Sequence, residues 1–152
     1  MARRERAASS RSAAGILVAY TLLLLYTMFL GLDRPLRRMY LPDLQYNLVP
    51  LRTVGDFLFH IGEHEPLSMI INIFGNIIVF IPFGLLLPAI FRSCRRKPAV
   101  FAVSFLAPLL VIELMQMLLR VGTFDVDDLL LNSIGAGIGY KLYKTARREG
   151  WV

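Results

Sequence analysis

Glu113, Gln116 and Arg120 close one long apolar run, and Asp125, Asp127, Asp128 and Asn132 open the next. Such groups would sit inside or beside hydrocarbon, where each is costly unless paired or put to use. Two chemistries suit them. Arg120, with Arg52 from an earlier loop, would hold a phosphate or carboxylate through bidentate contacts. Alternatively, Glu113 would act as general acid or base, with Asp128, alone or with a cation, orienting the reacting group. Plainer roles compete. Asn72, Asn76, Gln116 and Asn132 also suit hydrogen bonding between helices. Glu113 and Arg120, two turns apart, also suit a structural ion pair. Asp125, Asp127 and Asp128 also suit capping and the dipole of a helix start. What favours a site is the combination of an acid, a guanidinium, a second acid and several amides at one level.

The elements that must position these groups are membrane helices. Of the 152 residues, 56% are hydrophobic and 18% charged, and the mean hydropathy is +0.57. Soluble domains carry about a quarter charged residues. The apolar excess comes as runs long enough to cross a bilayer, which takes about 20 residues of helix. Residues 1–12 are basic and polar and are expected to be disordered. Residues 13–32 form an uncharged run, longer than a signal-peptide core and without an A-x-A-like cleavage site after it, so it reads as a retained first span. Residues 68–91, 98–119 and 129–143 form three further runs. The last is just long enough to span if Val126 to Asp128 make its first turn. Between the first two runs, Leu51, Val54, Leu58 and Ile61 recur at helical spacing with Arg52, Asp56 and His60 between them, which predicts a short interfacial helix.

Charge sets the orientation. The N-terminus, the 92–97 turn and the tail after residue 140 carry 12 of the 17 Lys and Arg; the two remaining loops carry 5, offset by 8 acids. The positive-inside rule then gives four transmembrane helices with both termini cytoplasmic, and it explains the net charge of +6 without nucleic acid. The fold class is all-α.

Helical geometry gathers the polar groups. At about 100° per residue, Ser68, Asn72 and Asn76 share an arc of about 80°; Glu113, Gln116 and Arg120 share about 60°, as do Asp128, Asn132, Gly135 and Gly139. All three stripes reach the outer level, Glu113 lying about 10 Å below Arg120 and Asn132 about 6 Å below Asp128. Facing one another, they would line a polar pocket open to the outer surface, with Arg52 as a lid. Gly135-xxx-Gly139 reads as a close-packing face that would also permit a homo-oligomer.

Other signals carry less. His60-Ile61-Gly62-Glu63-His64 matches H-x-x-E-H, but Gly62 interrupts it, Pro66 soon ends it and no third ligand stands nearby. The DVDD run lacks the spacing and glycine of an EF-hand. There is no P-loop and no G-x-S-x-G elbow, and Cys94, the single cysteine, has no redox partner. No metal or cofactor is expected.

The segments YNLVPLRTV, NIFGNIIVFIPFGLLLP, IELMQMLLR and TFDVDDLLLNSIGAGIGY, in this order, resemble the VanZ-like domain of bacterial membrane proteins, over residues 45–143. The shared pattern is N-x-x-G-N-x-x-x-F-x-P-x-G, then E-x-x-Q, an Arg, and D-D-x-x-x-N-x-x-G. Leu51 stands where the first element usually ends in an aromatic. The first span fits the family's usual extra helix, and residues 144–152 are left as a basic cytoplasmic tail. The resemblance implies a multi-pass plasma-membrane protein of the bacterial envelope, in a family whose namesake is associated with low-level teicoplanin resistance. It implies no established reaction. The family pattern covers Asn72, Asn76, Glu113, Gln116, Arg120, Asp128 and Asn132, with Asn47 and Arg52 in its first element. The expected partners are membrane lipids and an amphipathic ligand such as a lipid-linked cell-wall precursor or a lipoglycopeptide. The alternative is a membrane-embedded enzyme acting on a lipid-linked substrate, with Glu113 as its acid or base.

Overall fold

A computed structural model describes residues 2–31, 36, 43–59 and 66–151, with the side chains of 2–9, 57–59 and 66–69 outside the description. The His60–His64 motif and the side chain of Ser68 therefore lie outside the described residues. In chain order the elements are α1 (Ala2–Phe29), β1 (Tyr46–Asn47), α2 (Arg52–Phe59), α3 (Pro66–Ile90), α4 (Arg92–Arg96), α5 (Pro98–Leu118), β2 (Phe124–Asp125) and α6 (Val126–Arg148).

Helix α1 includes residues 2–12; Ala, Arg and Glu make up eight of these eleven residues and favour helix, and Ser9, Ser10 and Ser12 are the rest. The all-α architecture also carries one short parallel strand pair, β1 with β2, in which Tyr46 faces Phe124 and Asn47 faces Asp125. Helix α2 covers Val54 and Leu58 of the pattern Leu51, Val54, Leu58 and Ile61; Leu51 precedes it, and Ile61 lies outside the described residues.

Among the described residues, stretches of three helices are long and apolar enough to cross a membrane: Ser10–Phe29, Ile70–Ile90 and Pro98–Leu118. Large apolar side chains face outward along them, with Leu22, Ile71, Ile78 and Val103 each about 60% exposed or more. A belt of that kind is a liability in water and a fit to lipid. The 23 residues of α6 would measure about 35 Å. Asp127 and Asp128 in its first turn and Arg147 and Arg148 in its last lower its hydropathy while complementing the helix dipole.

The tightest contact is between α3 and α6, and it depends on glycine. A Cβ on Gly135 would lie 2.9 Å from the Ile77 carbonyl carbon, and one on Gly139 3.0 Å from the Gly84 Cα. A Cβ on Gly84 would lie 2.6 Å from the Tyr140 nitrogen. The backbones touch directly. Residue order shows their sense: Asn76 bonds Asp128, Ile77 meets Gly135, and Ile81 meets Gly139. Both sequences advance together, so α3 and α6 run parallel. The small-residue face, expected also to permit a homo-oligomer, is thus occupied within the chain by α3.

Aromatic rings fill the space between α3, α5 and α6. Phe101 stacks on Tyr140 at 4.3 Å, Phe80 meets Phe105 edge-on at 5.7 Å, and Phe83 joins both Phe80 and Phe105. The Tyr140 hydroxyl donates to the Cys94 carbonyl at 3.2 Å, locking α6 to α4. Cys94 itself is buried in this core. Helix α1 is fastened at two heights. The Tyr20 hydroxyl donates to the Val79 carbonyl at 2.9 Å, and Gln116 of α5 donates to the Met28 carbonyl at 3.0 Å.

Candidate functional site

The site lies at the end of the bundle where α5 stops and α6 begins. Helix α5 ends in a Schellman turn: the Arg120 amide donates to the Met117 carbonyl and the Val121 amide to the Gln116 carbonyl, both at 3.0 Å. That turn needs a left-handed residue. Glycine usually supplies it, yet here Arg120 does, with φ 59°. The exposed guanidinium is therefore presented from a costly backbone conformation. Val121 and Phe124 bury their side chains, and Asp125 then caps α6 by accepting the Asp127 amide at 2.8 Å.

The acidic turn organises the loop before α2. Asp125 accepts the Thr53 hydroxyl at 2.7 Å and the Asn47 amide at 3.2 Å. Asp127 is 1% exposed and takes three backbone amides, from Leu51 at 2.5 Å, Thr53 at 2.8 Å and Val54 at 3.3 Å. The helix that Asp127 caps is thus α2, not its own. Its carboxylate answers amides that a helix start leaves without partners. Leu51 reaches it with φ 62°. The DVDD carboxylates at 125 and 127 are in this way committed to the fold, and they hold Arg52, exposed, at the first turn of α2.

One pair of sequence stripes meets as expected. Asn76 of α3 donates to Asp128 of α6 at 2.5 Å. One turn deeper on α6, Asn132 is 1% exposed and its Oδ1 has no hydrogen-bond donor among the described residues. A buried acceptor of that kind is uncommon and calls for an explanation. Glu113 on α5 is also buried, at 3% exposed. The other site residues stand differently. Gln116 turns toward α1, while Asn72 and Arg120 are exposed. The arrangement offers an acid and amides between helices, with two guanidinium groups at the exposed rim of the same end.

Gln116 illustrates a hydrogen bond acting as glue between spans. Its replacement by leucine should cost roughly 1 kcal/mol of stability to unfolding in detergent and speed proteolysis near the end of α1. Unchanged stability and cleavage would show that the Met28 contact does not hold α1 in place.

Sequence reasoning missed the roles of Asn47, Thr53 and the Leu51 amide. Their partners are Asp125 and Asp127, 72 to 78 positions away. Helical spacing carries no signal for such pairs; only the presence of Asn47 in a motif hinted at it.

The VanZ/LLP1 family model matches residues 17–147, a range that holds every candidate site residue. It begins inside α1 and so takes in the first span, in keeping with the bonds that fasten α1 to α3 and α5. Protein VanZ of Enterococcus faecium is 28% identical over 106 residues, or 70% of this chain. The match covers 65% of that relative's own length, a little under two thirds. No solved structure matches.

Proposed function

This chain belongs to the VanZ/LLP1 family, and from that premise we propose that it binds the polar head of an amphipathic envelope ligand on the outer side of the bacterial plasma membrane. In this reading α6 is the fourth span, both termini are cytoplasmic and α2 lies at the outer interface. The ligand is a lipid-linked cell-wall precursor or a lipoglycopeptide, its fatty tail lying among the helices' apolar sides. The link to glycopeptide resistance comes from the likeness to Protein VanZ.

The observation that carries the reading is the buried Asn132 acceptor, one turn below the Asn76–Asp128 bond. It supports a place for a polar ligand group; Glu113 is buried on α5, and Arg52 and Arg120 are exposed toward the same end of the bundle. Arginine suits phosphate and carboxylate because its planar fork pairs with two oxygens at once.

The test measures thermal stabilisation of the purified chain in detergent by teicoplanin and by a lipid-linked precursor. At least one is expected to raise the melting temperature, and Asn132→Leu should abolish the rise. Arg120→Gly should weaken it; glycine suits the left-handed turn, so only the guanidinium is lost. Failure of both ligands to stabilise the protein, or equal stabilisation of the two variants, would overturn the reading.

The buried Glu113 favours a second reading, a membrane-embedded enzyme acting on a lipid-linked substrate. There Glu113→Gln should stop turnover while the protein still folds, and retained turnover would remove Glu113 from that role.

A further inference from the structure

The opposite end of the bundle carries a second concentration of charge that the outer site does not use. Arg95 of α4 and Lys144, Arg147 and Arg148 of α6 line a cavity of about 280 Å³ together with Tyr143. Among the described residues, its lining holds four cations and no acid. Two of the cations are set in place by the fold. The Arg95 Nε donates to the Pro88 carbonyl at 3.0 Å and its Nη2 to the Ala89 carbonyl at 3.1 Å, two acceptors near the end of α3. A guanidinium has five N–H donors, so three remain after these bonds. The Lys144 ammonium sits over the Tyr140 ring at 5.0 Å, and that ring is tied to α4 through the Cys94 carbonyl. Tyr143 is buried beside them.

Four like charges gathered in one concavity repel one another, and the fold holds one of them there by two hydrogen bonds and another over an aromatic ring. An anion relieves that repulsion. A phosphate suits it best, since it has several acceptor oxygens for fork-shaped and point-charge donors from two elements. The volume is at the small end for ligand pockets and fits a headgroup, not a whole lipid. Basic pockets at the ends of membrane helices are where anionic headgroups bind. We infer that the cavity between α4 and the end of α6 binds a phosphate-bearing anion, with an anionic phospholipid headgroup and free phosphate as its two sources. This inference is independent of the outer site, which lies at the other end of the helices.

The experiment uses the full chain in detergent, with melting temperature as the readout. Phosphatidylglycerol, phosphatidylcholine and inorganic phosphate are added separately at low salt. Either phosphatidylglycerol alone or both it and inorganic phosphate should raise the melting temperature by about 5 °C at saturation, with phosphatidylcholine ineffective. The first pattern assigns the lipid as the source, and the second assigns free phosphate chemistry. The variant Lys144→Gln/Arg147→Gln/Arg148→Gln changes only partly or fully exposed side chains and should lose the rise. Arg3→Gln/Arg4→Gln/Arg6→Gln removes as much charge from the N-terminus and should keep it. The inference is overturned if neither anion stabilises the wild type, if phosphatidylcholine does so equally, if the α6 variant keeps the full rise, or if the N-terminal variant loses it.

Discussion

Alanine at Gly135 is expected to destabilise the protein by about 3 kcal/mol or to prevent its folding, the upper range for forcing extra atoms into a packed core. Alanine at Gly137, two residues on, is expected to be neutral or to stabilise by up to about 1 kcal/mol, because a helical glycine costs that much relative to alanine. The two substitutions are chemically identical. They differ in what the new methyl meets. At Gly135 it runs into the carbonyl of Ile77, a backbone group that cannot swing aside. At Gly137 nothing lies within 4 Å. Flexible side chains yield to a methyl at little cost; backbone yields only if the whole helix moves. Moving α6 away from α3 would also loosen the Asn76–Asp128 bond and the Phe101–Tyr140 stack. Equilibrium unfolding in mixed detergent micelles, followed by circular dichroism, checks the pair. If Gly135→Ala and Gly137→Ala unfold together, the backbone contact between α3 and α6 is not what holds this end of the bundle.

That contact shows where sequence reading succeeds. Gly135-xxx-Gly139 was legible as a close-packing face because one residue type repeats at one helical turn. The acceptor surface was not, since Ile77 and Ile81 offer backbone oxygen and look like ordinary apolar residues in the sequence. The same limit governs the site. The meeting of Asn76 and Asp128 could be anticipated from stripes and depth, which depend on rise and angle per residue. Gln116 was placed on the same face as Glu113, yet it turns to the Met28 carbonyl on α1, a partner with no side-chain signature. In the sequence, Arg120 shows only its charge. Its left-handed backbone follows from the Schellman turn, and nothing in the sequence marks that turn without a glycine.

Asp127 should prove the most sensitive of the acids in the turn, and its loss should be local. Alanine there removes the acceptor of three backbone amides at once. Hydrogen bonds to a charged group contribute about 1.5–3 kcal/mol each, and the donors left behind regain part of that from water. A net loss of about 3 kcal/mol is therefore expected for Asp127→Ala. Asparagine keeps one of the two acceptor oxygens and should cost about half as much. The carboxylate uses both: Oδ1 takes Leu51, while Oδ2 takes Thr53 and Val54. The loss falls mainly on the segment around α2, since α3 and α6 have their own contact through glycine. Hydrogen exchange gives the measurement. Protection at the amides of Leu51, Thr53 and Val54 should vanish in Asp127→Ala, while protection along α3 and the middle of α6 persists. Leu51→Gly in that background should recover part of the stability, because glycine tolerates the positive φ that Leu51 adopts at a cost. Undiminished protection at Leu51, Thr53 and Val54 would mean that the loop is held by something other than Asp127. Loss of protection throughout would mean that the turn supports the whole bundle. The local outcome matters for the proposed site, because the same carboxylate fixes the first turn from which Arg52 projects. Releasing that turn leaves the buried Glu113 and Asn132 in place, so affinity for the ligand proposed above should fall while the fold remains.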